Sequence, residues 1–456
     1  MLNLSSGPVH FRRTHRAWTT QACLVRSTHL GSLLPALLVS LVACKGLTNV
    51  GGDGLTGPSQ FDNPTGAVLR RNAAVASFSG AQSSQVVWSG LISDELTATQ
   101  SQTAVIDALH ITPDNSVGTY PYDALTTARI NALRAIQSLK QYAPYPPSRI
   151  GQLYAFAGLV ELYFAEDMCS GVPLATVVAG VPTAVSVVSR DSLIARALAH
   201  FDSASSDITD SGVVNAQVMQ LVQVARGRAL VDAGKFVAAA AAVSSVSSGF
   251  TYMNDEFDGV TISNPLYSEF YTSQLMSVAN NEGGTGLDFI AAGDPRAPIA
   301  NTGTVVGSDS IYAFGPVTAT SPIVLASGVE ASLIRAEAAL QAGQSGAWAD
   351  TLNALRSSFG GGTLPNIPPD STTLANSSFQ QTVMFRERAF WLFLSGHRHG
   401  DQRRLVRQYG RPEATVFPTG SYTRAGEHMT YGTDVTFVPF GETTDPVFHG
   451  CIDRTP

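Results

Sequence analysis

Apolar residues recur at helical spacing along much of the chain, between segments rich in Gly, Pro, Ser and Thr. Residues 122–141 predict one helix. Residues 147–167 predict another, with Ile150, Leu153, Tyr154, Ala157, Val160 and Phe164 on one face. Leu193, Ala197, Phe201, Ala204 and Ile208 mark a third, for which Asp191 is the expected N-cap. Residues 214–233 and 235–246 predict a helical pair turning at Ala233-Gly234.

That pair resembles a tetratricopeptide repeat. Small residues in Ala225–Gly234 suit close helix approach, Gly234 suits the reversal, and Phe236 stands where the repeat places an aromatic. A second copy runs from Leu333 to Gly343, followed by Trp348, Leu352 and Leu355, and Ser327-x-x-Glu330 opens it as a capping box. Such hairpins bury their apolar faces only by stacking. The helix at 147–167 with its predecessor is a third candidate, and an ordinary helical bundle is the alternative. Between the repeats, residues 247–326 lack helical periodicity but keep scattered aromatics, among them Tyr267, Phe270, Tyr271 and Phe314. Long loops in compact proteins are commonly functional. The fold class expected is therefore mainly α: a helical-repeat scaffold over about 122–246 and 327–410, with a loop-rich insert at about 247–326.

The first 43 residues change the picture. Arg12, Arg13, Arg16 and Arg26 precede Cys44 and no acidic residue does. Residues 33–43 form an apolar run too short for a bilayer, which needs about 20 residues. Basic region, short apolar run and small residues read as a secretory signal over 1–43. Leu41-Val42-Ala43-Cys44 resembles a bacterial lipoprotein box, making Cys44 the expected lipidation (palmitate) site. Residues 44–60 read as a flexible tether. Gly52-x-Gly54-x-x-Gly57 matches the dinucleotide fingerprint only formally, since no strand precedes it and Pro58 follows.

Hydrophobic residues make up 44% and charged residues 14%, enough apolar content for a large core. Without the leader's four arginines the net charge is near −11. An acidic body without basic patches argues against nucleic acid as a partner. Cys169 and Cys451 remain after removal of the leader and lipidation of Cys44, and an even pair in an exported protein is expected to bond.

Three segments together resemble the SusD/RagB family. The most specific is Arg386–Arg404, an Arg/Glu-rich helix followed by Gly396-His397-Arg398, Asp401 and Arg403-Arg404. His399 and Gln402 depart from the family's usual aromatic and leucine. The others are Leu333–Arg356 and Leu162-Tyr163-Phe164 leading to Gly171-Val172-Pro173-Leu174. Asp294-Pro295-Arg296 echoes the pattern weakly, and Phe437–Phe440 resembles its final Pro-containing strand. The resemblance makes residues 61–456 a SusD-like domain. It implies a cell-surface nutrient-binding lipoprotein of a bacterial outer membrane, carrying glycan or oligopeptide to a SusC-like TonB-dependent β-barrel, without catalysis and without a cofactor. Alternatives are a periplasmic tetratricopeptide adaptor and a glycan hydrolase.

Gly396–Asp401 holds two histidines and an aspartate, but not at a metal-binding spacing such as HExxH, so a structural role is expected. No Gly-x-Ser-x-Gly elbow is present. Glu161, Glu166-Asp167 and Asp94-Glu95 are read as surface or helix-end acids rather than a glycosidase pair. Tyr120, Tyr122, Tyr267 and Tyr271 are the candidate ligand-binding aromatics. Trp348 and Trp391 are expected in the core.

Overall fold

In the computed structural model, the residues described are 61–111, 121–178, 181–254, 256–257, 260–261, 264–315, 317–368, 375–439 and 449–456. The leader, Cys44, the tether and Tyr120 lie outside them.

Helices α1 (Pro64–Ile92), α3 (Tyr122–Tyr142), α4 (Ser148–Asp167), α5 (Arg190–Asp207) and α6 (Val213–Asp232) stack in sequence, with a short α2 (Ser101–Asp107) after α1 and a short α7 (Phe236–Ala242) closing the first repeat hairpin. Helices α8 (Gly328–Gln341) and α9 (Ser345–Ser358) form the second hairpin, followed by α10 (Ser377–Trp391) and α11 (Arg398–Arg407). The architecture is mainly α with tetratricopeptide-like hairpins.

The hairpins owe their closeness to glycine. Gly234 and Gly343 both turn the chain at φ +70°, in the region where a Cβ is strained. A Cβ on Gly227 of α6 would stand 2.5 Å from Val243, and one on Gly158 of α4 would stand 2.6 Å from Phe201 of α5. Helix α4 is the centre of the core, with Phe156, Leu159, Val160, Leu162, Tyr163 and Phe164 all buried. Phe78 of α1 stacks flat on Phe156 at 4.0 Å.

Two caps differ from expectation. Ser189, not Asp191, caps α5, its hydroxyl accepting from the Ser192 N–H, while Asp191 stays exposed in the first turn. Ser327 caps α8 by accepting from the Glu330 N–H at 3.1 Å. Glu330 does not complete the box; its carboxylate lies 3.0 Å from His397 Nε2 in the interior.

The described strands pair only two by two, all antiparallel. Strands β2 (Val172–Val178) and β3 (Val181–Val188) form a hairpin after α4. In the insert, β4 (Thr251–Asn254) pairs with β8 (Ile323–Ser327), β5 (Met276–Val278) with β1 (Leu96–Ala98), and β6 (Ile299–Val306) with β7 (Asp309–Phe314). Phe437 makes a single bridge to Met168 rather than the expected strand.

Cys169 and Cys451 are joined, with Cα atoms 5.8 Å apart. The tail is also hydrogen-bonded there: Ser170 N donates to Asp453 O and Ile452 N donates to Ser170 O.

Candidate ligand-binding site

The acids read as surface groups are buried instead. Glu161, Glu166, Asp167, Asp94 and Glu95 are each at most 3% exposed. Two of them meet an interior arginine, and Asp167 is held by Gln85, Ser89 and His399. Arg129 donates to Glu161 at 2.7 Å, and Arg228 grips Glu166 with two bonds of 2.6 Å. Asp401 takes Arg388 on one oxygen at 2.7 Å and Arg404 on the other at 2.6 Å. Arg403 donates instead to the carbonyls of Ala165, Glu166 and Met168, satisfying the end of α4. His397 and His399 diverge. His397 Nε2 lies against Glu330 and Arg228, whereas His399 faces Asp167 and the Val435 carbonyl. Among the described residues, no group of three His, Cys, Asp or Glu is placed to hold a metal. These side chains tie α4, α6, α8, α10 and α11 into one body.

Glu95 has weaker support. Burial pushes its carboxyl up to about 8, only partly offset by the Leu394 N–H, which donates at 3.2 Å, and by Arg398. Its folded-state pKa lies above the ordinary value of 4.5. This stabilising contribution is therefore complete below about pH 4.5 and is lost as pH rises toward 8. Glu95→Gln keeps the acceptor for Leu394 and removes the titration. Between about pH 5 and 8 the wild type should lose a few kcal/mol relative to this variant, each pH step of one in that window costing about 1.4 kcal/mol. Urea unfolding across that range measures the difference; a difference independent of pH would refute the assignment.

The rigid body carries a short helix in the insert, Pro265–Tyr267, which continues as a π-helical turn over Ser268–Thr272. Asn264 caps it through Oδ1, which accepts from the N–H groups of Leu266 and Tyr267, while its Nδ2 donates to the Ser321 carbonyl. The far end is tied down by Thr99 and Gln100, which donate to the carbonyls of Gln274 and Ser273. Phe270 is buried and anchors the segment. Tyr267, half-buried against the core, and Tyr271 adjoin on it, rings 4.9 Å apart and tilted by 34°. Tyr271 is 40% exposed. Glu269 sits between them in sequence; burial raises its carboxyl to about 7.

Behind Asn264 lies a cavity of about 300 Å³ whose lining includes Phe314, Phe390, Trp391, Phe393, Arg296 and Glu330. That volume is at the lower end of small-ligand pockets. Arg296 is held by Asp294 at 2.7 Å and Glu387 at 2.8 Å, so the Asp-Pro-Arg echo marks a built ion-pair corner. Trp391 borders this cavity at the end of α10, whereas Trp348 is fully buried.

The four candidate tyrosines therefore separate. Tyr120 lies outside the described residues. Tyr122 is buried against Phe164 and donates its hydroxyl to the Pro173 carbonyl, which makes it a core residue. Tyr267 and Tyr271 come together, the first half-buried and the second exposed. Sequence reasoning passes over Asn264, Glu269 and the aromatic cavity. The pair Asn264-Pro265 carries a readable signal, since Asn at N-cap with Pro at N1 opens helices.

No protein-family model matches the chain, and no curated protein does. Solved structures do. A SusD superfamily protein from Bacteroides thetaiotaomicron superposes with a TM-score of 0.57 at 15% identity, over 78% of this chain and 92% of that one. A SusD superfamily protein from Bacteroides fragilis gives 0.57 at 12% identity, over 85% and 99%. A protein from Bacteroides vulgatus described as SusD-like and carbohydrate binding gives 0.52 at 14%, over 79% and 88%. The fold of this chain is thus the SusD fold.

Proposed function

We propose that this chain, built on the SusD fold, is a binding lipoprotein that captures glycan on the Tyr267–Tyr271 face and delivers it, without catalysis, to a TonB-dependent outer-membrane barrel. The observation that carries the reading is exposed Tyr271, its ring set against half-buried Tyr267, on a segment fixed at both ends. Sugar rings stack their C–H faces on such phenols, and a fixed pair loses little freedom on binding. A solved protein of the same fold is described as carbohydrate binding. The buried acids are engaged in the scaffold, which favours a binder over a glycan hydrolase.

Tyr271→Ala should weaken binding of a glycan-array hit about tenfold, while Tyr271→Phe retains most of it. Calorimetry with that glycan checks this; equal affinity for the Ala variant would remove the site. The outer-membrane anchor is assigned to Cys44. Radiolabelled palmitate should enter the exported protein, and Cys44→Ala should abolish labelling and release the protein from membranes. Labelling unchanged in Cys44→Ala would remove that assignment.

A further inference from the structure

A second cavity of about 400 Å³ lies in the helical half, between the start of α5, the α6–α7 turn and the end of α11. Its lining is aliphatic at Ile194, Ala195 and Leu198 and polar at Arg190, Asp232, Lys235, Arg407 and Gln408.

These polar groups are incompletely used. Arg190 is 8% exposed, and its nearest acid is the solvent-facing Asp191 at 3.6 Å. Among the described residues, Arg190 Nε has no hydrogen-bond partner, and neither do Asp232 Oδ2 and Gln408 Oε1. Gln408 spends its Nε2 donors on the carbonyls of Val231 and Asp232, leaving its oxygen over. Arg407 is already held by Asp453 and the Thr455 carbonyl, so Arg190 and Lys235 are the cations left for a ligand. Buried polar atoms in folded proteins nearly always find partners, so three orphans on one cavity mark a place where something polar docks.

The pattern is specific. A cationic donor and two unfilled acceptors line one cavity together with aliphatic side chains. Burial disfavours the charge on Arg190, Asp232 favours it and Arg407 disfavours it, with the balance against the charge, and an anion here would add to the favourable side. Asp191 and Asp232 in the same lining disfavour a dianion such as sulfate or phosphate.

We propose that this cavity is a second binding site that takes the carboxylate end of an aliphatic α-amino acid. The carboxylate would meet Arg190 and Lys235, the adjacent N–H donors would meet Asp232 and Gln408, and the side chain would lie on Ile194 and Leu198. Either a free amino acid or the last residue of a peptide presents this chemistry. The site lies in the helical half, apart from the insert, and does not depend on the glycan reading.

Calorimetry on the full chain with four small probes tests it. Leucine should bind saturably. Leucinamide, which lacks the carboxylate, and 4-methylpentanoate, which lacks the nitrogen, should each bind at least about tenfold more weakly. N-acetyl-leucine separates the sources: affinity equal to or above that of leucine indicates a peptide end, and weaker affinity indicates the free amino acid. Arg190→Met should weaken leucine binding about tenfold. Because Arg190 is buried, exposed Lys235 supplies a variant whose folding is not at stake, and Lys235→Met should weaken leucine binding about threefold. The proposal is overturned if leucinamide binds as tightly as leucine, if no probe binds at about 10 mM, or if leucine binding is unchanged in both variants. Loss of glycan binding in Tyr271→Ala bears on the other site alone.

Discussion

Replacing Asp401 with Ala should remove about 3–5 kcal/mol of stability. Both Asp401 oxygens are committed to buried guanidiniums, Arg388 at 2.7 Å and Arg404 at 2.6 Å. Glu337 and Asp232 also touch Arg404, but Arg388 keeps only Glu337 at 3.8 Å. The loss is large because a buried cation would remain with its main counter-charge gone, not because the pair itself is worth that much. Against an ordinary total of roughly 5–15 kcal/mol, the variant would be near its folding limit. Burial alone would raise the Asp401 carboxyl, yet Arg388 and Arg404 hold it well below the usual carboxylate range. Its contribution is therefore present above the ordinary carboxylate value, about 3.9, and fades as pH falls below it. Urea unfolding at neutral pH reads the effect. A loss under about 1 kcal/mol would mean that water, rather than Asp401, compensates the arginines.

Reduction of the Cys169–Cys451 bond, or Cys451→Ser, should cost about 3–5 kcal/mol. The bond closes a loop with a sequence separation of 282, and the chain-entropy treatment places such a loop near the upper end of disulfide effects. The damage should also have an address. The bridges of Ser170 and Ile452 and the bonds from Arg407 to Asp453 and Thr455 depend on the tail staying in place. Hydrogen exchange should rise first at 168–171 and 450–455, and the denaturation midpoint should fall. An unchanged midpoint under reductant would show that the backbone bonds alone hold the tail.

The parts legible in the sequence are those with one wet face. Helix α3 is expected at 122–141 and occupies Tyr122–Tyr142; α4 is expected at 147–167 and occupies Ser148–Asp167. Both repeat turns are readable because glycine is required where φ is positive. Helix α1, 29 residues long, is not anticipated. From Phe78 onward it is buried on nearly every side, with Ser79, Gln82, Ser83, Gln85 and Ser89 inside, so no apolar stripe forms. Helix α11 hides for the related reason that its inward residues are charged, and several of their partners, Glu337 and the α4 carbonyls among them, lie far away in sequence. The same distance conceals the aromatic cavity, whose walls come from the insert and from α10. The Tyr267–Tyr271 pairing is more accessible, since residues four apart on a helix are neighbours.

The interior ion-pair assembly draws on Glu166, Arg228, Glu337, Arg388, Asp401 and Arg404, and none of these six comes from the insert at 247–326. Chassis and cargo surface are joined instead through particular insert residues, among them Arg296, which pairs with Glu387, the strand β5 paired with β1, and buried Phe270. Exposed insert positions such as Tyr271 can be diversified in a library while those anchors and the frame beneath are kept. An engineer seeking new ligand specificities would graft at the exposed positions and leave α11 untouched.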